Sequence, residues 1–250
     1  MQVVVSPAKK LNFDLSYDLK TTSPLFKKET EELVSILKNK SKKDISKLMS
    51  LSDSLADLNY NRYQNFDNSD EQSAAGFAFA GDTYKGLQIE TFSKDDLSYA
   101  KDHLFILSGL YGVLRISDKI KPYRLEMGTR LENERGKNLY EFWSNSIYKK
   151  LNGFAKKNDS KYLINLASEE YFKSIDTKNL DLEVIDIKFL ENKNGQYKVI
   201  GLMSKRARGA MARYIVQNQI KDLSELKKFN LDGYKFSPKE SSANELIFKR

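Results

Sequence analysis

The chain has 250 residues, with Lys+Arg 42 against Asp+Glu 34 and a formal net charge of +8. It has no cysteine and one histidine, His103, which excludes disulfides, thiolate metal sites, iron–sulfur clusters, thiol catalysis and any site needing two imidazoles. The basic balance, with a pI near 9.2, favours polyanionic partners.

In chain order, Gln2–Val5 is a β-branched run that reads as a buried strand. Ser23-Pro24 reads as the opening of a helix carrying Phe26, Leu33 and Leu37 on one face. Ile45, Leu48 and Met49 suggest a second helix. Ser52 or Asp53 caps a third, with Leu55, Leu58 and Tyr63 as its apolar face. Ala75–Ala80 reads as an apolar strand ended by Gly81-Asp82, and Ser93 as the cap of a helix running to Lys101. His103–Leu107 is a compact strand, with His103 as an edge or core imidazole rather than a catalytic one. Lys137–Phe154 reads as one long helix, because Leu139, Trp143, Ile147 and Leu151 recur at four-residue spacing. Tyr162–Leu166 is a strand. Leu182–Leu190 and Gln196–Met203 flank Asn194-Gly195, a strong hairpin signal. Lys205–Gln219 reads as a helix and Glu245–Phe248 as a late strand. No stretch is apolar enough to span a bilayer, and the start MQVVVSPAKK lacks the pattern of a secretory signal. The expectation is a cytoplasmic single domain over residues 1–250, of the α/β (mixed α+β) class. Its sheet is mixed and partly parallel, flanked by helices, with a basic cleft. No metal, cofactor or membrane partner is expected.

Three apolar strands run into polar turns: Val3–Val5 into Ser6-Pro7-Ala8-Lys9, Leu104–Leu107 into Ser108–Gly112, and Leu163-Ile164 into Asn165–Tyr171. If the strands are parallel neighbours, the turns converge on one cleft beyond their carboxyl ends. Gly109-Leu110-Tyr111-Gly112 is either a tight turn or a backbone cradle for phosphate. It also resembles a helix-hairpin-helix hairpin with one extra residue between the glycines. Tyr123, Arg124 and Glu126 bring a ring, a guanidinium and a carboxylate together, for a structural ion pair or a phosphate grip. From Arg115 to Lys137 there are seven Lys/Arg against four Asp/Glu. Lys205, Arg206, Arg208 and Arg213 lie in a stretch, Ser204–Arg213, that has no acid. There Arg206, Gly209 and Arg213 share a helix face, and Lys205 stands near the helix start as an anion site.

Ser6–Lys9, Gly81–Leu87, Leu107–Leu114, Pro122–Gly128, Asn165–Phe172 and Lys205–Arg213 occur in the order found in the YaaA family, which the chain resembles from Val3 to Phe248. The resemblance implies a bacterial peroxide-stress-resistance protein that limits free iron and iron-dependent DNA damage. It also implies a compact α/β domain with a basic cleft, and DNA binding through a helix-hairpin-helix-like element. A chain without cysteine cannot sense peroxide through its own thiols, so protection is expected to run through a polyanion. Duplex DNA is the expected partner. Lys9, Gly109, Tyr111, Gly112, Arg115, Tyr123, Arg124, Lys205, Arg206, Arg208 and Arg213 are the phosphate-binding candidates. The alternative is an enzyme acting on a nucleotide or phosphorylated small molecule. Lys9, Arg124, Glu126, Asn165, Ser168, Glu170, Tyr171 and Lys205 would line its pocket, with Lys9, Glu126, Ser168 and Glu170 as the catalytic candidates and Glu126 or Glu170 as general base.

Overall fold

The computed structural model describes residues 1–250. The elements run β1 (Gln2–Val5), α1 (Lys27–Lys38), α2 (Lys42–Met49), α3 (Asp53–Gln64), β2 (Ser73–Ala74), α4 (Ala75–Ala78), α5 (Asp82–Leu87) and α6 (Lys94–His103). They continue through β3 (Leu104–Ser108), β4 (Gly112–Arg115), β5 (Lys119–Ile120), α7 (Leu139–Trp143), α8 (Ile147–Lys157), β6 (Tyr162–Leu166) and α9 (Glu169–Phe172). The last are β7 (Glu183–Lys193), β8 (Gln196–Lys198), α10 (Gly201–Gln217), α11 (Leu223–Leu226), β9 (Lys235–Phe236) and β10 (Glu245–Lys249).

The sheet order is β4-β3-β1-β6-β7-β10-β9, with β8 hanging from β7. The pairs β3–β1, β1–β6, β6–β7 and β7–β10 are parallel, while β4, β8 and β9 attach antiparallel. The fold is therefore α/β with a mainly parallel, mixed sheet. β1 is buried along its whole length, which is why it reads as an unbroken apolar run rather than an alternation. One apolar cluster reaches from Met1 to Phe248, so the two ends of the chain share a single core.

The cleft's position follows from the strand order. The chain lays β3 on one side of β1 and later places β6 on the other, so the order reverses between β1 and β6. In open α/β sheets the crevice beyond the carboxyl ends at such a reversal is where ligands bind.

Local signals set several boundaries. Ser41 with Asp44, and Ser93 with Asp96, close reciprocal capping boxes on α2 and α6. Asn194 and Gly195 both take positive φ, as a two-residue hairpin of the primed type requires.

Other boundaries differ from the sequence reading. Ala75–Ala78 is one buried helical turn rather than a strand. The Ala75 and Gly76 amides donate to Asp118 and Ile116 carbonyls, and a short apolar run cannot by itself choose between strand and helix. Helix α1 begins at Lys27, with Phe26 at its N-cap, not at Ser23-Pro24, and the Ser23 carbonyl accepts Arg115 Nη2. The long helix over 137–154 is two, broken at Ser144-Asn145-Ser146, residue types that compete with helical backbone bonds. The apolar stripe survives the break, with Leu139, Trp143, Ile147 and Leu151 all buried. On α3, Leu55 and Leu58 are exposed and the buried face is Ala56, Asn59 and Tyr63. His103 ends α6 rather than opening β3. The strand after Asn194-Gly195 stops at Lys198, and α10 starts at Gly201, four residues before Lys205.

Candidate functional site

A cavity of about 450 Å³ opens at the strand-order reversal. Five segments build it. Ser6–Lys10 follows β1, Gly81–Tyr84 starts α5, Tyr123–Glu126 comes from the loop after β5, Ser168, Glu170 and Tyr171 follow β6, and Lys205 and Arg208 project from α10. Lys9, Lys10, Arg124, Lys205 and Arg208 face Asp82, Glu126 and Glu170 across it, a local excess of two positive charges.

Helix α10 reaches the cleft because glycine lets two backbones touch. A Cβ at Gly209 would lie 1.8 Å from the Thr83 carbonyl oxygen, and one at Gly86 would lie 2.0 Å from that of Arg206. Only hydrogen fits at either position. This contact sets α5, with Asp82, Thr83 and Tyr84, beside Lys205 and Arg208.

The floor is tied by hydrogen bonds. The Ser168 amide donates to Ser6 Oγ at 2.8 Å, and the Tyr84 hydroxyl donates to the Ser6 carbonyl at 3.1 Å. Lys9 Nζ and Arg124 Nη2 both reach Glu126 Oε1, at 3.0 and 3.2 Å. Glu126 thus orients two cations rather than standing free as a base. Glu170 Oε1 accepts the Gly128 amide at 3.0 Å, and its other oxygen makes no hydrogen bond within the chain.

Two arginines carry buried Nε atoms with no hydrogen-bond partner, Arg124 and Arg208. A buried donor left unpaired costs free energy unless a ligand satisfies it. Burial lowers the Arg208 pKa, yet a guanidinium stays charged at neutral pH. Burial also pushes the Tyr84, Tyr123 and Tyr171 phenols above their ordinary value. All three are neutral hydrogen-bonding groups at neutral pH, not bases.

The structure brings Lys9, Tyr123, Arg124, Glu126, Ser168, Glu170, Lys205 and Arg208 to the cavity. Strands β1, β3 and β6 are parallel neighbours, and the turns after β1 and β6 meet in it. The turn after β3 does not. Ser108 stands one layer behind, its Oγ 2.6 Å from the Tyr123 hydroxyl. Asn165 is also off the wall, with its amide bonded to Asp186.

Several candidates lie away from the cavity. Gly109, Tyr111 and Gly112 are buried in the tight β3–β4 turn, which joins two strands and so is not a helix-hairpin-helix. The Gly109 carbonyl accepts Trp143 Nε1, and a Cβ on Gly109 would strike the Leu125 carbonyl at 2.4 Å. These glycines serve packing and leave no open amide cradle. Arg115 is committed to Asp118, which has no exposed side-chain surface, and to the Ser23 carbonyl. Arg206 is exposed and pairs with Asp82 at 3.7 Å. Arg213 is half-buried and off the cavity wall. The Arg206–Gly209–Arg213 face is therefore interrupted, since Gly209 packs on α5. Lys205 sits in the second turn of α10, past the reach of the amino-terminal dipole.

The single imidazole is structural. His103 Nδ1 lies 2.9 Å from the Met1 carbonyl oxygen, and the ring stacks on Tyr99 with centroids 4.0 Å apart.

Sequence reasoning passed over Lys10, Asp82, Thr83 and Tyr84 as site residues. Gly86 and Gly209 sit at the contact that brings these residues in, but a helical glycine alone does not mark such a contact, since Gly153 on α8 has nothing within 4 Å of a Cβ.

The fold and cavity together define an α/β protein with a cation-rich crevice at the strand-order reversal. The family model described as "Peroxide stress protein YaaA" matches residues 1–240. Three relatives from Legionella pneumophila align over all of this chain and 99% of their own length. They are "UPF0246 protein lpl1317" of strain Lens at 48% identity, "UPF0246 protein" of strain Corby at 47%, and "UPF0246 protein lpg1366" of strain Philadelphia 1 at 47%. The chain belongs to the YaaA family of peroxide stress proteins. No helix is long and apolar enough to cross a membrane.

Proposed function

We propose that this protein acts in the cytoplasm during peroxide stress by binding DNA through its cleft, shielding it from iron-dependent damage. The observation that carries this reading is the pair of buried, unpartnered Nε–H groups of Arg124 and Arg208 in a wall of five cations and three carboxylates. Guanidinium groups with spare donors suit phosphate oxygens. The cations come from three separate segments, which suits backbone contact rather than base reading. The test is DNA binding over a salt series for wild type, Arg124→Ala and Arg208→Ala. The wild-type log affinity is expected to fall linearly with log salt, by about 0.9 per duplex phosphate neutralised. Each variant is expected to flatten that slope by about one. Slopes unchanged in both would remove the cleft from DNA binding.

A second reading is an enzyme acting on a nucleotide or phosphorylated small molecule. The cavity volume, about 450 Å³, falls in the range of small-ligand pockets. Glu170, with one oxygen free of internal hydrogen bonds, is its general base. Turnover of a phosphorylated compound, lost in Glu170→Gln, would favour it over DNA binding alone.

A further inference from the structure

A second basic depression lies beside the cleft. Lys40, Asp44, Lys47 and Leu48, on and just before α2, face Gly128, Thr129 and Arg130 across about 520 Å³. Its charges are unbalanced. The ion pairs nearby use Lys38, Lys42 and Arg135 and leave Lys40, Lys47 and Arg130 unpaired. The one acid, Asp44, is engaged by the Ser41 amide and hydroxyl in the α2 capping box, at 3.0 and 2.6 Å. Three cations and one carboxylate thus border the hollow, a net excess of two positive charges.

The two hollows share one stretch of chain. Tyr123–Glu126 lines the cleft and Gly128–Arg130 lines the depression, while cleft residue Glu170 holds the Gly128 amide. Arg130 follows Glu126 by four positions, and the Thr129 amide bonds the Glu126 carbonyl at 3.1 Å, so a turn holds the two inside the ~14 Å that an extended stretch would span. That separation is a few phosphate steps along one strand. The cleft has room for one nucleotide and not for a base-paired stack.

We infer that Lys40, Lys47 and Arg130 form a second phosphate-binding patch that continues the cleft. The polyanion it fits is the unpaired end of a DNA strand. The terminal nucleotide enters the cleft and the following phosphates cross Gly128 onto α2. An unpaired end enters without the unstacking that a duplex nucleotide requires. This rests on the reading of the cleft as a nucleotide-phosphate site.

The experiment measures binding of deoxythymidine 5′-monophosphate and of 5′-phosphorylated oligothymidylates of two to eight nucleotides. It compares wild type with Lys40→Ala/Lys47→Ala/Arg130→Ala and with Lys40→Arg/Lys47→Arg/Arg130→Lys. Wild-type affinity should rise at least tenfold from one to about five nucleotides and then level off. The alanine triple should keep mononucleotide affinity within twofold and lose the rise with length. Its salt slope on the longest oligomer should drop by about two, at ~0.7 per single-strand phosphate. The charge-retaining triple should restore both. A length gain that persists in the alanine triple overturns the patch and leaves the cleft reading standing. So does a wild type that binds the mononucleotide with no gain for longer strands. Failure of wild type to bind either probe overturns both. Unfolding curves that superimpose for the three proteins show that the comparison reports binding.

Discussion

The contact between α5 and α10 gives the sharpest test of how the cleft is assembled. Gly209→Ala places a methyl 1.8 Å from the Thr83 carbonyl oxygen, with the Leu87 amide nitrogen 2.7 Å away. Both obstacles are backbone, so no rotamer change relieves them. Reaching a normal contact of about 3.5 Å requires α5 to move on the order of 1.5 Å. Overpacking of this kind costs about 1–3 kcal/mol, set against the ~1 kcal/mol that alanine gains over glycine within a helix. The control is Gly153→Ala on α8, where nothing lies within 4 Å of the new methyl. There only the helix term acts, and the protein should gain about 0.5–1 kcal/mol. The helix gain is common to both, so urea unfolding should place Gly209→Ala about 1–3 kcal/mol below Gly153→Ala. In a chain of this size that corresponds to roughly 2–12 °C in Tm. DNA or nucleotide affinity should fall with Gly209→Ala, because Asp82–Tyr84 and Lys205/Arg208 move apart, and stay unchanged with Gly153→Ala. Equal stability of the two variants would refute the backbone-contact argument.

Arg208→Ala should leave stability unchanged or raise it by up to ~1 kcal/mol, since a buried unpaired donor is removed. Ligand binding should weaken at the same time, and paired urea and binding titrations check both directions. Asp118→Ala should cost about 3 kcal/mol or more, because it strips the buried partner from Arg115 and the acceptor from Thr22. Arg115→Ala should destabilise the fold without altering the salt slope of binding, which separates this arginine from the ligand wall. His103 titrates below its usual value, chiefly through burial. With its folded pKa depressed, the unfolded chain binds more protons between that value and about 6.5. Stability should thus rise with pH across this window and level off above it. His103→Gln should flatten that part of a Tm–pH curve. NMR of the single imidazole reads the pKa directly, and a value at or above 6.5 would contradict the burial argument.

The sequence by itself determined the elements whose signals are local. β1, β6 and β10 were legible as apolar runs, α2 and α6 from apolar spacing or a cap residue, and the β7–β8 hairpin from Asn194-Gly195. The polar turns after β1 and β6 were legible as site candidates, because an apolar strand that breaks abruptly into Ser, Lys or Glu is a local pattern. Motif order carried the family. Tertiary structure alone decided which basic residues are free. Arg115 and Arg208 look alike in sequence, yet one faces the buried Asp118 and the other a cavity with no partner. Electrostatic pairing depends on distance in space, and Glu126, in the loop after β5, meets Lys9 from a segment remote in sequence. Gly109–Gly112 shows the same limit. Two glycines in a turn admit either a phosphate or a neighbouring backbone, and the space was filled by Trp143 and the Leu125 carbonyl. Gly209 and Gly153 are both helical glycines in sequence, and only the fold shows that Gly209 meets the α5 backbone while Gly153 meets nothing. Local chemistry states what each residue can do; packing at long range determines which of those capacities remain available.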